Sequence, residues 1–300
     1  MLAITDYYYH SAPKDRNALL GQNRVDVNYD SVILVTAVAS LPTAFKTVKI
    51  GSHIVPVRMQ GGFLRTYWLN EKVGLKEVIK YTSDVFNRKL YSLALHGEVT
   101  SEDGIYWLEW IKTIQGKLRG VYLSTQSKVD DLVMYILEND TITGHICLYC
   151  GLSPGFSGPS PRPFSIDRLD LQPSYWVTLN HLQAMDVKQI SLSYSSLTCQ
   201  DLNIFLKKWI NGGCSRRIKK LYVDMRVEVE GVLMEGIKVS RRDPTLRRKY
   251  ALHDSVENIV GGFDVRRKED GAMATIMYEP QRRSGLKIVF WPDDEGNSYN

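Results

Sequence analysis

The sequence predicts an α/β fold: a leucine-rich-repeat-like curved parallel sheet with helices on one face, plus flanking β-hairpins at both ends. Three observations lead there. A pattern of apolar, two residues, apolar, one residue, apolar recurs six times between residues 90 and 223, with Thr143 its one polar entry, and such a period is the mark of stacked units. Apolar stripes of helical period separate several of the recurrences. The alternate strand positions are polar or mixed, which strands buried on both faces would not show.

The six units start at Leu90, Leu118, Thr143, Ile166, Val187 and Ile218. Each ends on two apolar residues spaced two apart, as in Leu93 and Leu95, Val121 and Leu123, or Leu221 and Val223. That spacing puts both on one side of a strand. Between the strands, Leu75, Val78, Ile79, Val85 and Phe86 mark a first helix, and Ile105, Leu108, Ile111 and Ile114 a second. Ser127 before Asp130 reads as the start of a third, with Leu132, Val133, Ile136 and Leu137 on one face. Leu202, Phe205, Leu206, Trp209 and Ile210 form the strongest stripe, at i, i+3, i+4, i+7 and i+8. Thr198 and Asp201 offer it a capping box, and Gly212-Gly213 a stop. Trp209 and Phe205 are therefore expected between helix and sheet. Alternating strands and helices with short links call for parallel strands.

The flanks read as β-structure. Thr47–Ile50 and Ile54–Met59 are split by Gly51-Ser52, and residues 263–267 and 274–278 flank a turn containing Asp270-Gly271. Leu286–Trp291 gives a last strand before an acidic tail, and Gly151–Pro163 is a loop between two units.

Composition narrows the function classes. With 44% hydrophobic and 24% charged residues, the chain is not the apolar-poor type that stays disordered. Four cysteines in 300 residues cannot staple a disulfide scaffold, which favours a reducing compartment. The longest largely apolar run, Val32–Ala39 with Thr36 inside it, is far below the ~20 residues of a membrane helix. The expected location is intracellular, cytoplasmic or nuclear. The net charge of +5 is uneven, with 17 Lys and Arg against 11 Asp and Glu between residues 216 and 287. Clusters such as Arg216-Arg217, Arg247-Arg248-Lys249, Arg266-Arg267-Lys268 and Arg282-Arg283 raise nucleic-acid binding as the alternative function. The interleaved Asp243, Asp264, Glu269 and Asp270 favour a solvated rim instead.

Catalytic and metal motifs are weak. Gly151-Leu152-Ser153-Pro154-Gly155 matches a nucleophile elbow, but Pro154, Pro159, Pro161 and Pro163 block the helix that must follow. Cys147 and Cys150 have the spacing of a zinc half-site, yet three apart on a strand they point to opposite faces, and Cys199 and Cys214 form no second pair. No H-x-x-x-H, Walker loop or G-x-G-x-x-G exists. No catalytic residue, cofactor or metal is assigned, and the chain reads as a non-enzymatic binding scaffold.

Further stretches carry a resemblance. Thr66-Tyr67-Trp68, Gly74-Leu75-Lys76-Glu77-Val78, Val85-Phe86-Asn87 and Tyr91-Ser92-Leu93 lead into Leu197-Thr198, Asp201-Leu202-Asn203, Phe205-Leu206-Lys207 and Trp209 to Gly213. Downstream come Gly236-Ile237, Asp264-Val265, Asp270-Gly271 and Ala274-Thr275-Ile276. Together they resemble the nematode F-box-associated domain of the second type, from about Phe45 to Trp291. The resemblance implies the substrate-recruiting part of a Skp1–cullin–F-box ubiquitin ligase, or a derived copy that binds targets without ligase docking. It divides the chain into residues 1–45, without a recognisable F-box, and residues 46–300, the associated domain. The latter holds a repeat core over about 74–225 and a C-terminal β region over about 226–291. Tyr7-Tyr8-Tyr9 and Val32–Val35 do not look like a helical F-box, so a Skp1-like adaptor finds no recognisable docking segment there.

The expected binding surface is the polar sheet face: Ser92, Tyr122, His145, Arg168, Asp170, Gln189, Ser191, Lys220 and Tyr222. Tyr122 and Tyr222 are its best anchors for a target protein, since Tyr is enriched among hot spots.

Overall fold

A computed structural model describes residues 2–5, 23–28, 31–37, 40–60, 63–214, 216–225, 230–252, 255–279 and 285–291. Tyr7-Tyr8-Tyr9, Arg282-Arg283 and the acidic tail lie outside these residues. The chain divides into two compact units, Met1–Leu152 and Ser153–Asn300.

The first unit runs β1 (Leu2–Thr5), β2 (Asn23–Asn28), β3 (Ser31–Ala37), β4 (Lys46–Ile50), β5 (His53–Gln60), β6 (Phe63–Trp68), α1 (Glu71–Phe86), β7 (Ser92–His96), α2 (Ser101–Gln115), β8 (Leu118–Lys128), α3 (Asp130–Glu138) and β9 (Ile142–Gly151). Its strand order is β9-β8-β7-β1-β2-β3-β6-β5-β4. β7, β8 and β9 are parallel, as the repeat predicts. β1 joins β7 antiparallel, and β4, β5 and β6 form an antiparallel meander. The sheet is therefore mixed.

The second unit runs β10 (Phe164–Gln172), α4 (Leu179–Ala184), β11 (Met185–Leu192), α5 (Cys199–Ile210), β12 (Lys220–Asp224), α6 (Glu230–Met234), β13 (Ser240–Arg241), β14 (Arg247–Leu252), β15 (Ser255–Val260), β16 (Phe263–Arg266), β17 (Met273–Glu279) and β18 (Gly285–Phe290). β10, β11 and β12 are parallel, and β12 then pairs antiparallel with β18, β17 and β16 following in order. β14 and β15 make a separate hairpin. The fold is thus mixed α/β. Its parallel runs match the repeat units, while the leucine-rich-repeat curvature does not follow from this topology.

Burial supports the strand reading. Leu93, Leu95, Val121, Leu123, Ile146, Leu148, Leu169, Leu171, Ile190, Leu192, Leu221 and Val223 are all buried. Leu202, Phe205, Leu206 and Trp209 of α5 are buried too, with the Trp209 ring 5.0 Å from that of Phe290. Thr198 and Asp201 form the reciprocal capping box of α5, and Gly212 follows at φ 79°. Helix ends were less legible. Val85, Phe86 and Ile114 are exposed, because α1 and α2 continue past their last buried turn. α3 is flanked by Val129 with no side-chain cap, so Ser127 does not start it. No helix among the described residues is long and apolar enough to cross a membrane.

Candidate protein-interaction surfaces

In the first unit, the parallel register sets Ser92 beside Gly120 and Gly120 beside His145. The next row is Ala94, Tyr122 and Cys147, and the one after it His96, Ser124 and Tyr149. Ser92 is buried, whereas Tyr122 and His145 are half-buried. A Cβ on Gly120 would fall within the His145 imidazole, so glycine is what lets that ring lie across the strand. The Tyr122 ring stands 5.1 Å from His96 and 5.5 Å from Tyr149, and His145 stands 6.0 Å from Tyr91. These half-exposed rings with polar tips form a surface suited to another protein's apolar and polar groups. His96 and Tyr149 were missed by sequence reasoning, although one further step of strand alternation reaches both.

In the second unit, Arg168, Gln189 and Lys220 form one row and Asp170, Ser191 and Tyr222 the next. Asp170 is buried and the other five are half-buried. Arg168 donates to Asp170 Oδ2 from Nη2 at 2.6 Å and from Nε at 2.9 Å. Tyr222 leans over Gly285, where a Cβ would lie 2.6 Å from its hydroxyl. The β14–β15 hairpin packs on the Lys220 end of these rows. Tyr250 and Ile259 join Met273, Val289 and Trp291 in one buried cluster, and Val289 is the register partner of Lys220. Tyr250 donates its hydroxyl to the Lys219 carbonyl, and Glu257 accepts from both Lys220 and Lys287. Burial alone would push the Glu257 carboxyl up, but the two lysines together hold it below its ordinary value. Nothing in local periodicity announces this hairpin on the sheet.

Much of the basic region is engaged within the fold. Arg248 is buried against Asp264, 3.0 Å away, and Asp264 also takes Arg242 and the Thr275 hydroxyl. Arg217 reaches Asp186 at 2.9 Å and Asp167 at 3.3 Å. Arg216 pairs with Glu269 and Arg267 with Asp270. These guanidinium groups hold elements together, which reduces the charge left for phosphates.

The catalytic motifs gain nothing from the geometry. Residues 152–163 form no helix, and the Ser153 carbonyl accepts from the Tyr175 hydroxyl at 2.6 Å. Cys147 and Cys150 are buried, and burial pushes the Cys150 thiol up to about 12, the state of an unreactive thiol. Among the described residues, no three His, Cys, Asp or Glu are placed to hold a metal. An open depression of about 540 Å³ in the first unit is lined by Lys112, Lys117, Tyr135 and Glu138, among others.

A family model described as F-box associated matches residues 162–223. Over this segment the chain is similar to F-box associated domains. The matched segment takes in β10, α4, β11, α5 and nearly all of β12. The chain is similar to an uncharacterized protein of Caenorhabditis elegans, 32% identical over 163 residues, which are 52% of this chain and 37% of that one. It is also similar to the Skn-1 dependent zygotic transcript 15 protein of the same organism. There the identity is 27% over 241 residues, covering 76% of this chain and 63% of the relative. The matches thus span less than two thirds of either relative's length. No solved structure matches. Six of the nine expected surface residues lie within the family match, from Arg168 to Tyr222.

Proposed function

We propose that this chain is a non-enzymatic protein-interaction module, the substrate-recruiting part of a Skp1–cullin–F-box ubiquitin ligase or a derived copy that binds targets without the ligase. The observation that carries the reading is the F-box associated match over residues 162–223. Two features support it. The half-exposed rings around Tyr122 offer anchors of the kind that dominate protein interfaces. The ion pairs of Arg216, Arg217, Arg242, Arg248 and Arg267 argue against the nucleic-acid alternative. The target would lie on the polar sheet faces, and the parallel units would act as a leucine-rich-repeat-like scaffold for them.

The test is affinity capture of the full chain from nematode extract with quantitative mass spectrometry. A Skp1-like adaptor and a cullin recovered together with a further protein are expected for a ligase receptor. A reproducible protein partner without them identifies the derived copy. Recovery of nucleic acid, with affinity falling at a log–log salt slope near −0.9 per phosphate, overturns both.

A further inference from the structure

From Ser31 to Asn70 the sequence contains no Asp or Glu, yet it carries Lys46, Lys49, Arg58 and Arg65. The β4–β5–β6 meander lies inside this stretch. β4 stands last in the strand order, and among the described residues no strand pairs with its outer side. Lys46, Thr47, Val48 and Lys49 are all exposed, as are Ile54 at 78% and Met59 at 64%.

The hairpin register decides which backbone groups are open. Ile50 faces His53 across the two-residue Gly51-Ser52 loop, then Lys49 faces Ile54, Val48 faces Val55 and Thr47 faces Pro56. The pair that closes a two-residue loop exchanges hydrogen bonds, and such pairs alternate along the ladder. Val48 and Ile50 therefore bond to β5, while the N–H and C=O of Thr47 and Lys49 point outward. Pro56 fits, since its position needs no N–H toward β4.

An exposed edge of this kind is a template for another strand, and edge lysines are the usual guard against self-pairing. Lysines facing lysines repel. The same charges attract a strand of opposite sign. We infer that the β4 edge docks an acidic, extended segment of a partner protein as an added strand. Thr47 and Lys49 supply the main-chain hydrogen bonds, and Lys46, Lys49 and Arg58 read the charge. The inference does not depend on the ligase reading or on the sheet-face residues.

Fluorescence anisotropy with a labelled peptide of alternating Glu and Val tests it on the full chain. Saturable binding is expected, with none for the matching Lys and Val peptide. Thr47→Pro removes an outward N–H without touching the β4–β5 ladder and is expected to weaken binding about tenfold, the upper worth of one hydrogen bond. A Glu and Val peptide N-methylated along one edge gives the same readout with the protein unchanged. The double variant Lys46→Glu, Lys49→Glu should lose the acidic peptide and gain the basic one. Undiminished binding of the N-methylated peptide overturns the proposal. So does equal affinity for a single-stranded oligonucleotide, or self-association through β4 in sedimentation.

Discussion

Glu257 accepts a hydrogen bond from Lys287 Nζ at 2.6 Å, tying β15 to β18 across the face of the second unit's sheet. Lys220 of β12 supplies a second contact to the same carboxylate. The hairpin is thereby held on the end of the polar rows by one acid between two lysines.

Because those lysines keep the folded carboxyl below its unfolded value, its stabilisation is fully present above the ordinary Glu pKa of ~4.3. It disappears as pH falls through the lower folded value. Glu257→Gln should therefore cost about 1 kcal/mol at neutral pH, the scale of a partly exposed pair. The gap to the natural chain should narrow steadily in urea melts taken at lower pH. A gap independent of pH would mean that the pair does not form.

The Arg248–Asp264 pair should behave differently. Both side chains are buried, and Asp264 is shared with Arg242 and Thr275. Asp264→Ala leaves Arg248 charged and buried, a change that costs about 3–5 kcal/mol. Glu269→Ala, at the exposed Arg216 pair, should cost less than about 1 kcal/mol. Equal losses in denaturant titration would contradict this ordering.

Trp209 fills the space between α5 and the sheet, with Phe290 on one side and the Arg267 guanidinium 5.2 Å from its ring. Trp209→Ala should lower stability by about 3–5 kcal/mol, the range for a large buried aromatic. A loss below about 1 kcal/mol by thermal or chemical unfolding would contradict the packing.

Thr198 accepts from the Asp201 backbone while Asp201 accepts from the Thr198 backbone. Thr198→Ala should cost about 1 kcal/mol. Hydrogen exchange should show the loss first in the opening turn of α5.

The repeat strands were legible because each needs only local alternation: Leu93 and Leu95 announce their shared face without reference to any other unit. The α5 stripe and its cap were legible for the same reason. Val85, Phe86 and Ile114 misled because apolarity at helical spacing persists after the helix leaves the core. The Glu257 hairpin was invisible, since its place depends on Val289 and Trp291, some 30 residues later, and on no periodicity of its own. Arg168 is a poor position at which to probe the binding surface. It holds the buried Asp170, so Arg168→Glu would set two like charges together and disturb folding as well as binding. Gln189, half-buried in the same row, is the better choice.

The most direct test of the interaction account is target capture by Tyr122→Ala and by Gln189→Ala, each beside the natural chain. At least one variant is expected to lose the captured partner while its melting temperature stays close to that of the natural chain. Undiminished capture by both would contradict the sheet faces as the binding surface.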